Sequence, residues 1–294
     1  HQALAMWSMF AADQPAGNIR NARRISWILA QNPAFTFDRA MRLQMLSLMP
    51  PDFWGPWVRR DVERLGMAFQ ENGGFVGKIQ DDRKDETAGD NTQAFYGLMG
   101  FWAAARVGVV ADASAWKRMN DYWIKAQLPD GSWGRVSAAA KEGEKKADPV
   151  MTAAGVAALT VTQQYLAETV SGYRRSDEDL KARNAGLEWL DQHFQLNDPA
   201  VEEADWYYYM WIVQQVGFAS GYRTFNGVDW NTEVTREILN RQLPDGTWGG
   251  EQGKTVSTAF AMLYLSQANA AVGAAKLQYA GAWNDEPDDL LNFA

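Results

Sequence analysis

Two aspartates sit where catalysis can be done. Asp90 opens Asp90-Asn91-Thr92-Gln93, and Asp205 opens Asp205-Trp206-Tyr207-Tyr208-Tyr209, each just ahead of a long apolar run. A pair of carboxylates can split a glycosidic bond, one protonating the leaving oxygen while the other activates water or attacks the sugar. Asp90 and Asp205 are therefore the candidate catalytic residues, and each is equally suited to capping the helix behind it. Around them a candidate ligand set collects at the starts of the apolar runs: Asn91, Gln93 and Tyr96; Met151 and Thr152; Trp206, Tyr207 and Tyr208; Ser257 and Thr258. A third acidic group, Asp81-Asp82-Arg83-Lys84-Asp85, spells DDxxD, a spacing that holds magnesium against a diphosphate when one helix face carries all the carboxylates. Gly73, Gly74, Gly77 and Gly89 flank it, so it reads as a solvated loop, with Asp81, Asp82 and Asp85 left as the metal candidates.

Composition removes other chemistries. The 294 residues include no cysteine and two histidines, His1 and His193, which excludes thiolate nucleophiles, disulfides, cysteine zinc sites and multi-histidine metal sites. No cofactor is expected. A net charge of -8 without any lysine or arginine block argues against nucleic acid and anionic membranes as partners. The most apolar stretch, Ala94 to Ala111, contains Arg106 and follows an Asp90-Asn91-Thr92 cap, so it reads as a buried helix and not as a membrane span. The chain begins inside an apolar helical pattern at His1 and shows no secretory signal, which predicts one piece of a longer protein.

The elements that must carry these residues repeat. Gln127-Leu-Pro-Asp-Gly-Ser-Trp-Gly134 recurs as Gln242-Leu-Pro-Asp-Gly-Thr-Trp-Gly249, each a helix end, a tight turn and an aromatic wedge. Helices ending at Gln31, Gln70, Gln127, Gln192 and Gln242 form a charged set with one apolar stripe. Between them lie segments apolar on all sides: 2–12, 38–49, 91–107, 149–168, 205–219 and 256–266. Six buried helices alternating with five surface helices predict an all-α, six-fold α/α toroid, with one outer helix missing before His1. No segment alternates long enough to be a strand. In a toroid the starts of the inner helices ring one mouth, which is where the candidate residues fall.

The Gln-x-x-Asp-Gly-Ser/Thr-Trp motifs at 127–133 and 242–248 resemble the QW repeat of the terpenoid cyclase and protein prenyltransferase superfamily, whose fold is the α/α toroid. With Asp90 to Leu98, Met151 to Gly155, Tyr207 to Trp211, Asp229-Trp230 and Ser257 to Leu263, the likeness extends over nearly the whole chain to bacterial prenyltransferase and squalene oxidase repeat proteins of unknown function. The resemblance implies a toroid over 1–270, a tail over 271–294 at the junction to a further domain of the same chain, and an exported or envelope-associated location. The DxDD acid of class II cyclases is absent, Asp177-Glu178-Asp179 reading instead as acidic residues at a helix start. The zinc-binding cysteine of the prenyltransferases is absent too. Three functions stay open: binding of an elongated isoprenoid-like ligand, glycosidase or lyase action through the rim carboxylates, and a non-catalytic scaffold. The expected partner is accordingly a small apolar or carbohydrate ligand.

Overall fold

A computed structural model describes residues 1–79, 90–109, 111–137, 140–141, 144–249 and 253–268. Helices α1 (Gln2–Ala11), α3 (Thr36–Ser47), α5 (Asn91–Arg106), α7 (Pro149–Thr169), α9 (Trp206–Ser220) and α11 (Lys254–Ala268) each pack on the next, and α11 returns to α1. These helices are apolar nearly all round because a ring buries both of their faces, one on the axis and one under an outer helix. The outer layer among the described residues is α2 (Ile19–Ala30), α4 (Pro51–Gly66), α6 (Ala113–Ala126), α8 (Asp177–His193) and α10 (Trp230–Asn240). Each leaves a charged face in water. No helix among the described residues is long and apolar enough to cross a membrane.

Buried glutamines tie neighbouring helices together. The Gln44 side-chain amide donates to the Met99 carbonyl at 3.0 Å, joining α3 to α5, and that of Gln214 donates to Tyr264 at 3.0 Å, joining α9 to α11. A second polar anchor is ionic: Asp61 of α4 accepts from Arg39 at 2.8 Å and from Arg42 at 2.6 Å, all three nearly inaccessible to water. Further guanidinium donors go to the carbonyls of Ile28, Gln31 and Pro33 and to Asn32 Oδ1, leaving Arg39 Nε as the one buried donor of the two guanidinium groups without a partner.

The repeated turns are built alike. Leu128 N–H bonds the Ser132 carbonyl and Leu243 N–H the Thr247 carbonyl, both at 2.8 Å, around Gly131 and Gly246 at φ +89° and +79°. Positive φ at that position is why glycine follows Pro-Asp. The indole N–H of Trp133 then donates back to the Trp123 carbonyl at 2.8 Å, and that of Trp248 to Ile238 at 2.7 Å. Each indole therefore fastens the turn to the outer helix it has just left. Gln127 completes the first copy by donating to the carbonyls of Gly131 and, across to α8, Ala182. Opposite the wedge the inner helix must be bare, and a Cβ on Gly155 would lie 2.5 Å from the Trp133 ring. The variant copy after α4 obeys the same rule: a Cβ on Gly97 would lie 2.3 Å from Phe75.

Some local features depart from expectation. Helix α4 stops at Gly66, before Gln70, because Phe69 turns to bridge Phe75 in extended pairing. Helix α10 stops at Asn240, two residues before Gln242. A short hairpin, β1 (Thr224–Phe225) and β2 (Val228–Asp229), crosses the gap between α9 and α10 on an Asn226-Gly227 turn. Both turn residues have positive φ, the conformation for which this pair is suited. The region 271–294 lies outside the described residues.

Two stability measurements check the packing. Gly155→Ala adds a methyl group where the indole already sits, so it lowers stability by about 1–3 kcal/mol in urea unfolding, whereas alanine in an open helix would raise it. The second concerns Asp179 at the start of α8. Burial raises its proton affinity, but hydrogen bonds from the Ser176 backbone, Asn120 and the Ser176 hydroxyl outweigh burial and hold the carboxyl below its usual value. A lowered folded value means stability that is complete above the unfolded carboxylate range and lost as pH falls through the folded value. Asp179→Asn should therefore cost about 1–2 kcal/mol at pH 7 and nothing below that folded value, read from unfolding curves across pH.

Candidate functional site

Three successive inner helices open with aspartate. Asp90 precedes α5, Asp148 precedes α7 and Asp205 precedes α9. Two of them cap: Asp90 Oδ1 accepts from Gln93 N at 2.8 Å and Asp148 Oδ1 from Met151 N at 2.9 Å. Asp205 makes no such bond, and its Oδ2 accepts from Arg135 Nη2 at 2.6 Å. Arg135 Nε donates to Asp148 Oδ2 at 2.7 Å, so one guanidinium edge joins the starts of α7 and α9. Burial alone would make this arginine less basic; the Asp148 and Asp205 carboxylates outweigh it and raise its pKa above the ordinary value.

Arg135 reaches the mouth because the segment after Trp133 is stitched to α5. Asn91 N–H donates to the Arg135 carbonyl at 2.9 Å, and Asn91 Nδ2 donates to Gly134 at 2.7 Å and Val136 at 3.0 Å. Tyr122 Oη in turn donates to Asn91 Oδ1 at 2.8 Å. Asn91 is fully buried, so its polar atoms position the rim. Gly134 has to be glycine for this crossing, since a Cβ there would lie 2.4 Å from the Lys146 carbonyl oxygen.

The other candidates divide between rim, axis and frame. Tyr96 and Tyr208 meet on the axis with ring centroids 5.7 Å apart; Phe37 lies 4.8 Å from Tyr96, and Phe260 lies 5.1 Å from Tyr208. Trp7, Trp211 and Phe260 continue the aromatic packing below. Burial raises the Tyr96 phenol well above its usual range, with a hydrogen bond to Tyr208 opposing the rise and the Asp205 and Asp90 carboxylates adding to it. Gln93 lies against Gly77, in van der Waals reach of a Cβ at that position. Met151 is fully buried, its sulfur 3.6 Å from the Thr92 hydroxyl. Thr152 and Thr258 hold the repeated turns, accepting the backbone N–H of Trp133 at 3.1 Å and of Trp248 at 3.0 Å. Ser257 is buried beside them. Trp206 donates its indole N–H to Leu196 and is covered by Arg241 at 3.9 Å, with Tyr207 packed edge-on to it at 4.9 Å.

Asp90 Oδ2 and Asp205 Oδ1 accept no hydrogen bond among the described residues, leaving one free carboxylate oxygen at each position. Arg135 and Asp148 are the rim residues that sequence reasoning passed over. One signal existed: after Trp-Gly the first repeat continues with Arg135 and the second with Gly250, a difference at a place where structural need is the same. Among the described residues no cluster of three or more His, Cys, Asp or Glu could hold a metal. Asp81, Asp82 and Asp85 lie outside them.

Six inner helices closed on one another under an outer layer decide the architecture. The fold is an α/α toroid. No family model and no curated protein matches the sequence. Among solved structures the chain resembles a protein of Salmonella enterica subsp. enterica serovar Paratyphi A described as a possible member of the GH105 family, with a TM-score of 0.58, 12% identity, and coverage of 90% of this chain and 81% of that one. This corrects the terpenoid cyclase and prenyltransferase resemblance: the structural neighbour is described as a possible member of a glycoside hydrolase family, and no family model supports a cyclase. The physical reason lies in the motif, whose Gln and Trp close a helix-pair turn and say nothing about what the ring holds.

Arg135→Leu leaves Asp148 and Asp205 without their shared cation. At pH 7 the loss should be about 1 kcal/mol, kept small by the half-exposed guanidinium, and it should shrink as salt screens the ion pairs. Thermal unfolding of both proteins at low and high ionic strength checks this.

Proposed function

We propose that this chain is a carbohydrate-active protein that cleaves a glycosidic bond at the mouth of the toroid, with Asp90 and Asp205 as its acid and base. The observation that carries the reading is Asp205: it ends a 3-10 turn in helical backbone geometry, makes no bond to its own helix, and is held by Arg135 with one oxygen left without a partner among the described residues. Asp90 and Asp148 each spend one oxygen on a backbone N–H; Asp148 spends the other on Arg135, while Asp90 keeps its second oxygen without a partner among the described residues. Support also comes from the structural neighbour, described as a possible member of the GH105 family of glycoside hydrolases, and from Tyr96, which is half-buried in the first turns of α5 and can offer a sugar ring an aromatic face.

In this reading a sugar bond sits above Tyr96 with the free oxygens of Asp90 and Asp205 beside it. One carboxyl gives its proton to the departing glycosidic oxygen, and the other serves as base or nucleophile at the sugar carbon. Arg135 is a positioning residue, fixing the Asp205 rotamer through a charge-assisted bond. A second reading, a rigid scaffold without chemistry, draws support from the aromatic side chains that fill the axis below the mouth.

A panel of neutral, amino and uronic oligosaccharides, assayed for new reducing ends or new unsaturated ends, separates the two. Cleavage of at least one glycan is expected, with Asp90→Asn and Asp205→Asn each about 10²–10⁴-fold slower while unfolding temperature and glycan binding persist. Full turnover in both variants would remove the carboxylates from the mechanism. Absence of both cleavage and binding across the panel would leave the scaffold.

A further inference from the structure

Beside the mouth, on the same end of the ring, lies a cleft of about 610 Å³, within the span of sites that hold small ligands. Its walls include Asp198 and Glu203 from the approach to α9, Trp206 at the first position of α9, and Arg241, Leu243 and Gly249 from the turn leading to α11. The cleft and the mouth share a wall. A single 3-10 turn, Glu203–Asp205, gives Glu203 to the cleft and Asp205 to the Arg135 side. Anything long enough to extend from Asp205 over this turn would enter the cleft.

The charges say what can enter. Arg241 is committed: Nε donates to Glu237 at 2.7 Å, Nη2 donates to Asn197 Oδ1 at 2.6 Å, and the guanidinium carbon lies over the Trp206 ring, 3.9 Å from its centroid. Its charge is matched by Glu237, so Asp198 and Glu203 remain as the cleft's unbalanced charges, with no ion pair to either among the described residues. Carboxylates accept hydrogen bonds from sugar hydroxyls and repel other anions. The mouth repeats the imbalance, with Asp148 and Asp205 paired to Arg135 and Asp90 at the start of α5.

We propose that the cleft binds the continuing units of a glycan chain whose scissile bond lies at the mouth, and that these units are neutral or amino sugars, not uronates. This rests on the reading of the mouth as a glycan-cleaving site. The ligand is thus an oligosaccharide reaching past the reacting bond, and selectivity against acidic chains resides in Asp198 and Glu203.

Two variants outside the catalytic group test it. Gly249→Trp fills the cleft from a position with room for a side chain, the nearest atom to a Cβ being Leu243 Cδ1 at 3.6 Å. Glu203→Arg reverses the charge of an exposed residue. With xylo- or cello-oligosaccharides as neutral probes, chitosan oligomers as amino probes and oligogalacturonides as acidic ones, the unaltered protein should show a KM about 10-fold lower for a neutral or amino hexamer than for its dimer, and no such gain for the acidic series. Gly249→Trp should raise the hexamer KM to that of the dimer and leave dimer turnover unchanged. Glu203→Arg should bring the acidic hexamer within a few-fold of the neutral one. A hexamer advantage that survives Gly249→Trp, or a preference of the unaltered protein for oligogalacturonides, overturns the inference while leaving cleavage at the mouth intact. Were no probe cleaved, calorimetric binding of hexamers to the unaltered protein and to Gly249→Trp would still decide: equal or absent binding overturns it.

Discussion

The bond from the Trp133 indole to the Trp123 carbonyl is the constraint on which the architecture turns. Taken singly it is ordinary, about 1 kcal/mol net for a buried amide-type hydrogen bond. Its leverage comes from position. It fixes the angle between an outer helix and the inner helix that follows by pinning the connecting turn to the helix just completed. The ring needs glycine on the facing helix, threonine under the turn and glycine at its tip, and each is present in the sequence. Trp248 repeats the bond, and Phe75 fills the corresponding space against Gly97. Closure of six helices follows from the same angle being imposed repeatedly.

The candidate site depends on this constraint as well. Arg135 lies two residues after the pinned tryptophan, and Asn91 receives the strand of chain between them with its backbone and side-chain donors. The guanidinium is delivered to two carboxylates on successive helices without freedom to wander, which is the preorganisation a reacting group needs. The rim thus combines one aspartate type in two roles. Asp90 and Asp148 complete the backbone of their helices, while Asp205, already in helical geometry behind a 3-10 turn, bonds Arg135 instead of its helix.

Much of the fold could be read from pattern. The apolar character of 91–107 and 149–168 on every side marks helices buried on two faces, and α5 and α7 run over nearly those residues. Capping was legible too: Ser176 and Asp179 form the reciprocal pair that their spacing suggests, and Asp90 caps α5. Thr152 and Thr258 were legible only as polar residues at inner-helix starts, whereas the structure shows both hydroxyls bonded to the preceding tryptophan N–H. The family resemblance misled for a related reason. Gln127, Asp130 and Trp133 are selected by the turn they build, and a turn of that kind serves a ring whatever lies at its centre.

By itself the sequence determined the order of the described helices, their inner or outer placement and the repeated Pro-Asp-Gly turns, because these follow from hydrophobic period and local backbone chemistry. Only the tertiary structure decided which aspartate is spent on its helix and which is free. Asp205 enters α9 through a 3-10 turn and so offers it no cap, and the arginine that holds it lies 70 residues earlier in the chain, a through-space matter that no local spacing encodes. It also decided that Arg241 is already matched by Glu237 and Asn197, and so that the cleft beside the mouth keeps a negative lining.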